Sequence, residues 1–436
     1  MLGVLVLLCA YFAWATLHSE YPEGASGGAR AARAALGAGP LTGPVMVVAS
    51  PDADGRAFAA AASDELRRGG APAVDVTLGD PAAARAAIER LAAAGMAPAL
   101  VVTTRAAAEW TVWDRLREAA PALRGLAVHA PRPSTRSTFL STANLRNVAD
   151  QIAVIAIVAV GMTMVIITGG IDLSVGSIVA LSAVVAAWLI REAGGAGASG
   201  PAMAGAALAA CAMGGAVGLF SGFTIARFHV PPFIATLAVM QIASGLAFIV
   251  ARGQSIYDLP RSFTWLGRGA GLASIPNAVL LMAAVYVAAH VLMTRTALGR
   301  RIYAVGGNRE AARLSGVSTE GTLLFVYAAS GMMAGLGGVV TASQLKAGAP
   351  TYGLMYELYV IAAVVVGGTS LSGGEGRILG TLIGAFIIAV IRNGMNLTDV
   401  EPYTQKVVLG MVILLAVLLD MLKHRRWRRA RAGAAT

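Results

Sequence analysis

Long stretches of apolar residues recur along most of this chain. One lies at the N-terminus, and nine more follow one another from residue 148 onward. A helix of about 20 apolar residues is long enough to cross the hydrocarbon core of a membrane. The pattern therefore predicts an α-helical polytopic membrane protein of about ten transmembrane helices. We expect them near residues 2–17, 148–168, 175–191, 203–225, 233–251, 276–294, 321–341, 357–368, 378–393 and 405–422.

The segment between the first two apolar stretches has a different pattern. Short apolar runs alternate there with helix-length stretches, which is typical of a small parallel α/β sheet. We expect strands at 45–49, 74–78, 99–103 and 126–129, helices at 56–68, 81–94 and 106–119, and a Gly/Ala-rich linker at 24–43. The predicted domains are a first transmembrane helix (1–17), an α/β insert (18–138), a transmembrane domain (139–422) and a basic tail (423–436).

Composition and charge narrow the class of protein. Hydrophobic residues make up 57% of the 436 positions and charged residues only 13%, which excludes a wholly water-soluble enzyme. A net charge of +11 would suggest nucleic acid as the partner of a soluble protein. Residues 18–140, however, carry 13 Arg against 12 Asp and Glu, so the excess lies on the membrane part. We therefore expect membrane lipid, and no nucleic acid, around this chain.

The distribution of basic residues predicts the sidedness of the membrane part. Six Lys and Arg lie between Lys423 and Arg431, and five Arg lie within residues 294–321. Basic segments favour the cytoplasmic side, so an even number of spans puts both termini in the cytoplasm and the insert outside. The first apolar stretch lacks the basic start of a cleaved signal peptide, so we expect a retained span, with cleavage as the alternative.

No catalytic arrangement is evident in the sequence. Cys9 and Cys211 both lie in apolar runs, and the five His are scattered without metal-ligand spacing. A phosphate-binding Gly-x-x-x-x-Gly-Lys-[Ser/Thr] loop is absent, so any ATP used must be hydrolysed by another polypeptide. We therefore predict a transport protein that is not an enzyme and holds no cofactor or metal of its own.

Glycines at four-residue spacing predict close helix packing. Gly214, Gly218 and Gly222 form one such ridge, and the pairs Gly331 with Gly335 and Gly380 with Gly384 form two more. In lipid the hydrophobic effect does not drive helices together, so close packing matters more. Small residues at this spacing let helix backbones approach each other.

Two glycine-rich breaks interrupt the apolar pattern. Residues 168–177 read TGGIDLSVGS and contain Asp172, and residues 367–376 read GGTSLSGGEG. A carboxylate at membrane depth usually marks a functional position, but Asp172 could equally cap a helix that starts at Leu173. Irregular backbone at that depth is tolerated only where protein or water surrounds it.

The basic segment 299–320 contains a predicted short helix. Glu310, Ala311 and Ala312 precede Gly316, a residue type that ends helices, and Arg309 and Arg313 flank the small alanines. From composition alone this segment is either an ordinary basic loop or a docking helix.

These segments together resemble the inner-membrane permease subunits of ribose, xylose and arabinose ABC importers. The matching stretches occur in the family's order from residue 139 to 420: FLSTANLRNVADQ, AVGMTMVIITGGIDLSVGSIVAL, PPFIATLAVM, TALGRRIYAVGGNREAARLSGV, YELYVIAAVVVGGTSLSGGEGRILGTLIGA and NGMNL. The resemblance implies the ABC importer permease fold in a bacterial inner membrane. It also implies a coupling helix for the ATPase at Arg309, Glu310, Ala311, Ala312, Arg313 and Gly316, and a translocation path near Asp172, Ser174, Gly176, Gly367, Gly368, Thr369, Gly373 and Gly374.

The same resemblance implies partners and a substrate class. The chain would import a monosaccharide with a cytoplasmic ABC ATPase that holds ATP and Mg²⁺, an extracytoplasmic sugar-binding protein, and a second permease copy or a paralogue. One alternative is a branched-chain amino-acid or nucleoside permease of the same fold. Another is a stand-alone secondary transporter, which would need coupling carboxylates near mid-membrane.

The insert departs from the permease pattern. Its segment VMVVASPDADGRAFAAAASDELRRGG and the strands that follow are similar to one lobe of a ribose-type sugar-binding protein. Such proteins close two lobes around the ligand, so one lobe alone should bind sugar poorly. We expect either a docking lobe for a binding protein or a neighbouring subunit, or a folded spacer.

Overall fold

The structure is a computed structural model that describes residues 1–39, 41, 43–98, 100–271 and 274–433. The side chains of the predicted basic tail, residues 423–436, lie outside the described part, and so does Ala99 at the start of a predicted strand. The chain divides into two compact units, one of Met1–Thr16 with Thr138–Thr436 and the other of Leu17–Ser137. The two ends of the insert thus lie one residue before the positions given for them above, and this division says nothing of the predicted boundary between residues 422 and 423.

The second unit is an α/β domain inserted after the first helix, α1 (Leu2–Ala15). Its four-stranded sheet is parallel, with strand order β3-β2-β4-β5. Its elements are β1 (Leu17–Glu20), α2 (Gly24–Leu36), β2 (Val45–Ala49), α3 (Ala53–Arg68), β3 (Val74–Leu78), α4 (Pro81–Ala93), β4 (Leu100–Thr103), α5 (Arg105–Ala108), α6 (Val112–Ala119), β5 (Ala127–His129) and β6 (Ser134–Ser137).

Both faces of the sheet are covered by helices. Val45 and Val47 on β2 pack with α2 and α3, whereas Met46 and Val48 on the same strand pack with α4 and α6. Successive residues of a strand point to opposite faces, so a central strand covered on both sides must be apolar throughout. All five residues of β2 are buried.

The predicted Gly/Ala-rich linker is wrong, because most of it is helix α2. Ala31, Ala32 and Ala35 form a buried face that packs on α3. A Cβ at Gly28 would overlap the carbonyl oxygen of Phe58, so the glycine lets the two helix backbones touch. Gly/Ala content here marks tight helix packing instead of a flexible connection.

Two further features of the insert differ from expectation. The helix predicted at 106–119 is two helices, α5 and α6, separated by Glu109–Thr111. In addition, β1 and β6 form an antiparallel ribbon in which Leu17 is the partner of Ser137. The insert therefore begins and ends at paired residues, and in the other unit Thr138 N donates to the Thr16 carbonyl oxygen at 3.3 Å.

The first unit is helical. Among the described residues, seven helices are long and apolar enough to cross a membrane: α7 (Thr142–Ile167), α8 (Val175–Glu192), α9 (Gly200–Phe228), α10 (Pro232–Val250), α12 (Asn277–Arg295), α15 (Thr319–Leu345) and α17 (Ile378–Leu397). The other elements are α11 (Trp265–Arg268), α13 (Ala297–Gly307), α14 (Arg309–Leu314), α16 (Tyr356–Val366) and α18 (Pro402–Gly433). Shorter apolar helices lie at the other three predicted spans: α1, α16 and residues 402–418 of α18.

The predicted glycine ridges are confirmed as helix contacts. Gly214 and Gly218 of α9 lie against Gly331 and Gly335 of α15, and a Cβ at Gly331 would come within 2.9 Å of the Gly218 Cα. The ridge on α17 packs on α16, because a Cβ at Gly384 would overlap the Ala363 carbonyl oxygen. Backbones meet directly at both crossings.

Polar and aromatic contacts hold the ends of α1, α7 and α17 together. Asn144 Nδ2 donates to Asn393 Oδ1 at 3.0 Å, and Asn393 Nδ2 donates back to Asn144 Oδ1 at 2.9 Å. Both side chains are buried, so each amide satisfies the other. On α1, the ring of Phe12 occupies the space beside Gly394, where a Cβ would overlap it.

Candidate functional site

The first glycine-rich break surrounds a buried carboxylate. Asp172 is fully buried, and its Oδ1 accepts from the Ser174 backbone N at 3.0 Å and from the Ser174 hydroxyl at 2.6 Å. Its Oδ2 accepts from the Ser330 hydroxyl of α15 at 2.9 Å. Hydrogen bonds on both oxygens offset the cost of burying this group. The predicted cap at Leu173 is wrong, because α8 begins at Val175 and the amide bound is that of Ser174.

A threonine of α10 holds the same break from another side. The Thr236 hydroxyl accepts from Leu173 N at 3.1 Å and lies 3.2 Å from the Ile171 carbonyl oxygen. Thr236 is fully buried, so the Leu173 amide has a protein partner at this position. The irregular segment between α7 and α8 is therefore fastened to α10 and α15.

The second break follows α16. Its glycines 368, 373 and 374 have φ values of +92°, +81° and +76°, a region that favours glycine. Gly367 packs against Gly380, because a Cβ there would lie 2.5 Å from the Gly380 carbonyl oxygen. Thr369 is fully buried, and within the described residues its hydroxyl has no hydrogen-bond partner.

The two breaks meet each other at the end of α13. Gly374 N donates to the Ile167 carbonyl oxygen at 2.8 Å, which joins the second break to the C-terminal end of α7. A Cβ at Gly306 would overlap that same oxygen, and one at Gly373 would lie 2.9 Å from the Gly306 carbonyl oxygen. The Tyr303 hydroxyl also donates to the Gly376 carbonyl oxygen at 2.8 Å.

Sequence reasoning missed α13 and its part in this arrangement. Only one short helix was predicted within residues 299–320, whereas the structure has a further helix, Ala297–Gly307, which ends at the Gly306–Gly307 pair. Two adjacent glycines before a helix-capping Asn were the available signal.

The predicted short helix is present as α14. Asn308 Oδ1 accepts from Ala311 N at 2.9 Å and caps its start. At its end Gly316 has φ +79°, with Gly316 N bonded to the Arg313 carbonyl oxygen and Val317 N to that of Ala312, both at 3.0 Å. This is a Schellman motif, which satisfies the last carbonyl groups of a helix.

The surface of α14 combines one ion pair with one apolar side chain. Glu310 and Arg313 pair at 2.7 Å, and both are well exposed. Ala312 is buried against the membrane unit, whereas Leu314 is 80% exposed. A cleft of about 390 Å³ opens beside the helix and is lined in part by Arg309, Thr168 and Tyr327.

The predicted site residues thus fall into two groups. Arg309, Glu310, Ala311, Arg313 and Gly316 are exposed on or next to α14. Of the predicted path residues, Asp172, Ser174, Gly176 and Thr369 are buried, Gly367, Gly373 and Gly374 are partly exposed, and Gly368 is exposed.

Comparison with known proteins identifies the class. A family model described as "Branched-chain amino acid transport system / permease component" matches residues 144–417, so the chain belongs to this family of permeases. The matched range contains both glycine-rich breaks and α14.

Particular relatives are similar over the same part of the chain. The ribose import permease protein RbsC of Escherichia coli K12 is 44% identical over 290 residues, which cover 66% of this chain and 88% of the relative. RbsC of Bacillus subtilis 168 is 43% identical over 66% of this chain and 87% of its own length. The galactose/methyl galactoside import permease MglC of E. coli K12 is 39% identical over 66% and 89%. No solved structure matches the chain.

Proposed function

We propose that this chain is the permease subunit of an ATP-driven importer for a monosaccharide. Relatives named as ribose, galactose/methyl galactoside and D-allose permeases are 38 to 44% identical to it. The chain is an integral inner-membrane protein and a transport subunit instead of an enzyme. An ABC ATPase and a substrate-binding protein are the partners that this class of importer requires.

The surface of α14 is the observation that carries the ATPase partnership. An exposed leucine on a helix capped at both ends costs free energy in water unless a partner covers it. Leu314 is 80% exposed beside the Glu310–Arg313 pair, so an apolar contact with a polar border is available. We assign the coupling role to Arg309, Glu310, Ala311, Ala312, Arg313 and Gly316 on this basis.

The energy for transport comes from outside this chain. ATP and Mg²⁺ belong on the partner ATPase, and nucleotide binding there drives alternating access. A ligand shifts such an equilibrium only through different affinities for the two states. Binding of sugar alone therefore does not complete a cycle.

The translocation path is proposed to run near the two glycine-rich breaks. Asp172, Ser174, Gly176, Gly367, Gly368, Thr369, Gly373 and Gly374 are its candidates. The buried hydrogen bonds of Asp172 suit a residue that holds the break in place in this conformation. Its carboxylate would reach a path only after α8 and α15 separate.

The remaining features of the assembly follow from the same proposal. Two permease copies, or one copy and a paralogue, would pair within the lipid. Both termini would lie in the cytoplasm with α14, and the insert outside, as the basic residues predict. First-span retention fits the packing of Phe12 beside Gly394, since removal of α1 would uncover that surface.

Two alternatives remain to be separated by experiment. A branched-chain amino-acid or nucleoside permease agrees with the family description, although the relatives reported above carry sugar names. A stand-alone secondary transporter would need several carboxylates deep in the membrane. Asp172 is the only Asp or Glu that is fully buried in the described part of the helical unit.

The substrate class is tested by uptake into proteoliposomes. The full complex, with the ATPase and the binding protein, should take up one of ribose, galactose or allose when ATP is enclosed with the ATPase. Leucine and adenosine serve as competitors. Transport of leucine or adenosine without sugar would reject the sugar proposal, and uphill transport by the chain without nucleotide would reject the ABC mechanism.

The docking role of α14 is tested by Leu314→Asp. A charge at the centre of an apolar contact should reduce co-purification of the ATPase by tenfold or more, equivalent to about 1.4 kcal/mol. Met96→Asp is the matched control, because Met96 is a 50% exposed apolar side chain on the insert. Wild-type recovery of the ATPase with Leu314→Asp would contradict the assignment.

The insert is proposed to be a docking lobe for the binding protein or a neighbouring subunit. Tethering such a lobe to the permease raises its effective concentration to about the millimolar range without new contacts. A folded spacer is the alternative.

Excision of the insert separates these two roles. Leu17 and Ser137 are paired residues, and Thr138 N bonds to the Thr16 carbonyl oxygen, so a short Gly linker can replace residues 17–137. The shortened chain should still assemble with its ATPase but require more binding protein for half-maximal uptake. An unchanged requirement for binding protein would favour the spacer.

A further inference from the structure

The end of α13 joins the proposed coupling helix to both glycine-rich breaks through backbone contacts. We propose that Tyr303, Gly306, Gly373 and Gly374 form a coupling junction, so that a displacement of α14 moves both breaks together. This inference rests on the proposed docking of the ATPase at α14. It assigns positioning roles to residues that lie outside that docking surface.

The connection between α13 and α14 is very short. A single residue, Asn308, separates the two helices. Its backbone N donates to the Ala304 carbonyl oxygen at 3.1 Å, which closes α13, and its side chain caps α14. Because Asn308 is bonded to both helices, α13 and α14 are expected to move as one body. Ile302 and Val305 of α13 are buried.

The contact between α13 and the breaks is equally direct. Gly306 lies on the Ile167 carbonyl oxygen, where any side chain would overlap it, and 2.7 Å separates its Cβ position from Gly374 N. The Cβ position of Gly373 is 2.9 Å from the Gly306 carbonyl oxygen and 3.1 Å from Gly169 N. No flexible side chain intervenes among these backbone atoms, and close-packed groups transmit strain.

The two breaks are suited to act as hinges. Gly169, Gly373 and Gly374 all have positive φ values, and hinges are a few residues at element ends that absorb changes in φ and ψ. The first break joins α7 to α8, and the second joins α16 to α17. One junction therefore reaches two connections between membrane helices at once.

Tyr303 adds a hydrogen bond to the same junction. Tyr303 lies about one turn of α13 before Gly306, and its hydroxyl donates to the Gly376 carbonyl oxygen at 2.8 Å. This bond ties the helix to the second break at a second point.

Two matched pairs of glycine variants test the junction. Gly306→Ala places a methyl group on the Ile167 carbonyl oxygen, whereas at the adjacent Gly307 an added Cβ meets nothing within 4 Å. Gly373→Ala and Gly368→Ala impose the same positive-φ strain in the same break, but only Gly373 contacts α13. The two glycines of each pair lie in the same helix or the same break, but only Gly306 and Gly373 make the junction contact.

The assay uses the complete complex in nanodiscs, with ribose, galactose and allose as probes. ATP turnover is measured with and without binding protein and sugar, and ATPase co-purification is measured in parallel. Gly306→Ala and Gly373→Ala should lower the stimulated turnover by about fivefold or more, the lower end of usual coupling energies. Basal turnover and co-purification of Gly306→Ala should match wild type, as should every property of Gly307→Ala. Gly368→Ala should keep more of the stimulated turnover than Gly373→Ala, because its added Cβ meets nothing within 4 Å.

A third variant covers the possibility that Gly306→Ala does not assemble. Tyr303→Phe removes a single hydroxyl and should reduce stimulation while the complex stays intact. Wild-type stimulation in Gly373→Ala and Tyr303→Phe would overturn the junction and leave the docking role of α14 standing. Equal losses in Gly368→Ala and Gly373→Ala would overturn it as well, because strain in the break would then explain both.

Discussion

The crossing of α9 and α15 allows a sharp test of how this membrane unit is held together. Gly214→Ala adds one methyl group where the two backbones touch, 2.6 Å from the Gly331 carbonyl oxygen and 3.0 Å from the Gly335 Cα. Gly215→Ala, one residue along, adds the same group at 3.7 Å from its nearest neighbours. Both substitutions change the intrinsic preference for helix equally, by about 1 kcal/mol in favour of alanine.

The difference between the two variants isolates the packing cost. Carbon atoms rest about 3.5 to 4.0 Å apart, so Gly214→Ala must push α15 outward by roughly half an ångström or more. Overpacking of this size costs about 1 to 3 kcal/mol. The same displacement would also shift the Ser330 hydroxyl, next to Gly331, relative to Asp172 Oδ2.

Unfolding in mixed micelles, followed by helical circular dichroism against denaturant, measures this difference. We expect Gly214→Ala to be less stable than Gly215→Ala by about 1 to 3 kcal/mol. If Gly214→Ala proved as stable as its neighbour, the close backbone contact would not be what holds α9 to α15.

Two further predictions concern other parts of the chain. Asn144→Leu leaves the buried Asn393 amide unpaired and should lower the free energy of unfolding by about 1 to 3 kcal/mol. The double variant Asn144→Leu with Asn393→Leu should lose less than the sum of the two single variants. Strictly additive losses of stability would argue against a reciprocal pair. In the insert, the Gly55 amide, followed by the Ser50 hydroxyl, lowers the pKa of Asp52. The ionised Asp52 side chain therefore stabilises the folded insert. This stabilisation is complete above the ordinary carboxyl pKa of about 3.9 and is lost as the pH falls through the lower folded-state pKa. Asp52→Asn should therefore remove part of the acid sensitivity of insert unfolding, measured by Trp fluorescence, and an effect shared by Asp64→Asn would contradict this origin.

Most of the helical unit could be predicted because membrane helices are long continuous runs of apolar residues, which are evident in a sequence without any periodic pattern. The ridges at Gly214 and Gly331 were also evident, since four-residue glycine spacing has a direct geometric meaning. The partner of each ridge was not evident, because spacing alone does not say which helices touch. Likewise, Gly316 indicated the end of α14, while its start depended on the side chain of Asn308.

The features that the sequence did not predict have physical causes. Composition favoured a linker at residues 24–43, but small residues serve tight packing as readily as flexibility, and Ala31 and Ala32 are completely buried. The backbone meeting at Gly306 and Gly373 joins segments almost seventy residues apart, which no local pattern encodes. The hydrogen bond from Ser330 to Asp172 is of the same kind.

The position of Phe12 beside Gly394 bears on how the protein is made. These residues belong to the first and the penultimate helices, roughly 380 positions apart on a ribosome that adds about 5 to 20 residues per second. The first helix must therefore wait for tens of seconds before this part of its docking surface is synthesised. During that interval the intervening α/β domain has time to complete its own sheet, so biogenesis of the two units is separated in time.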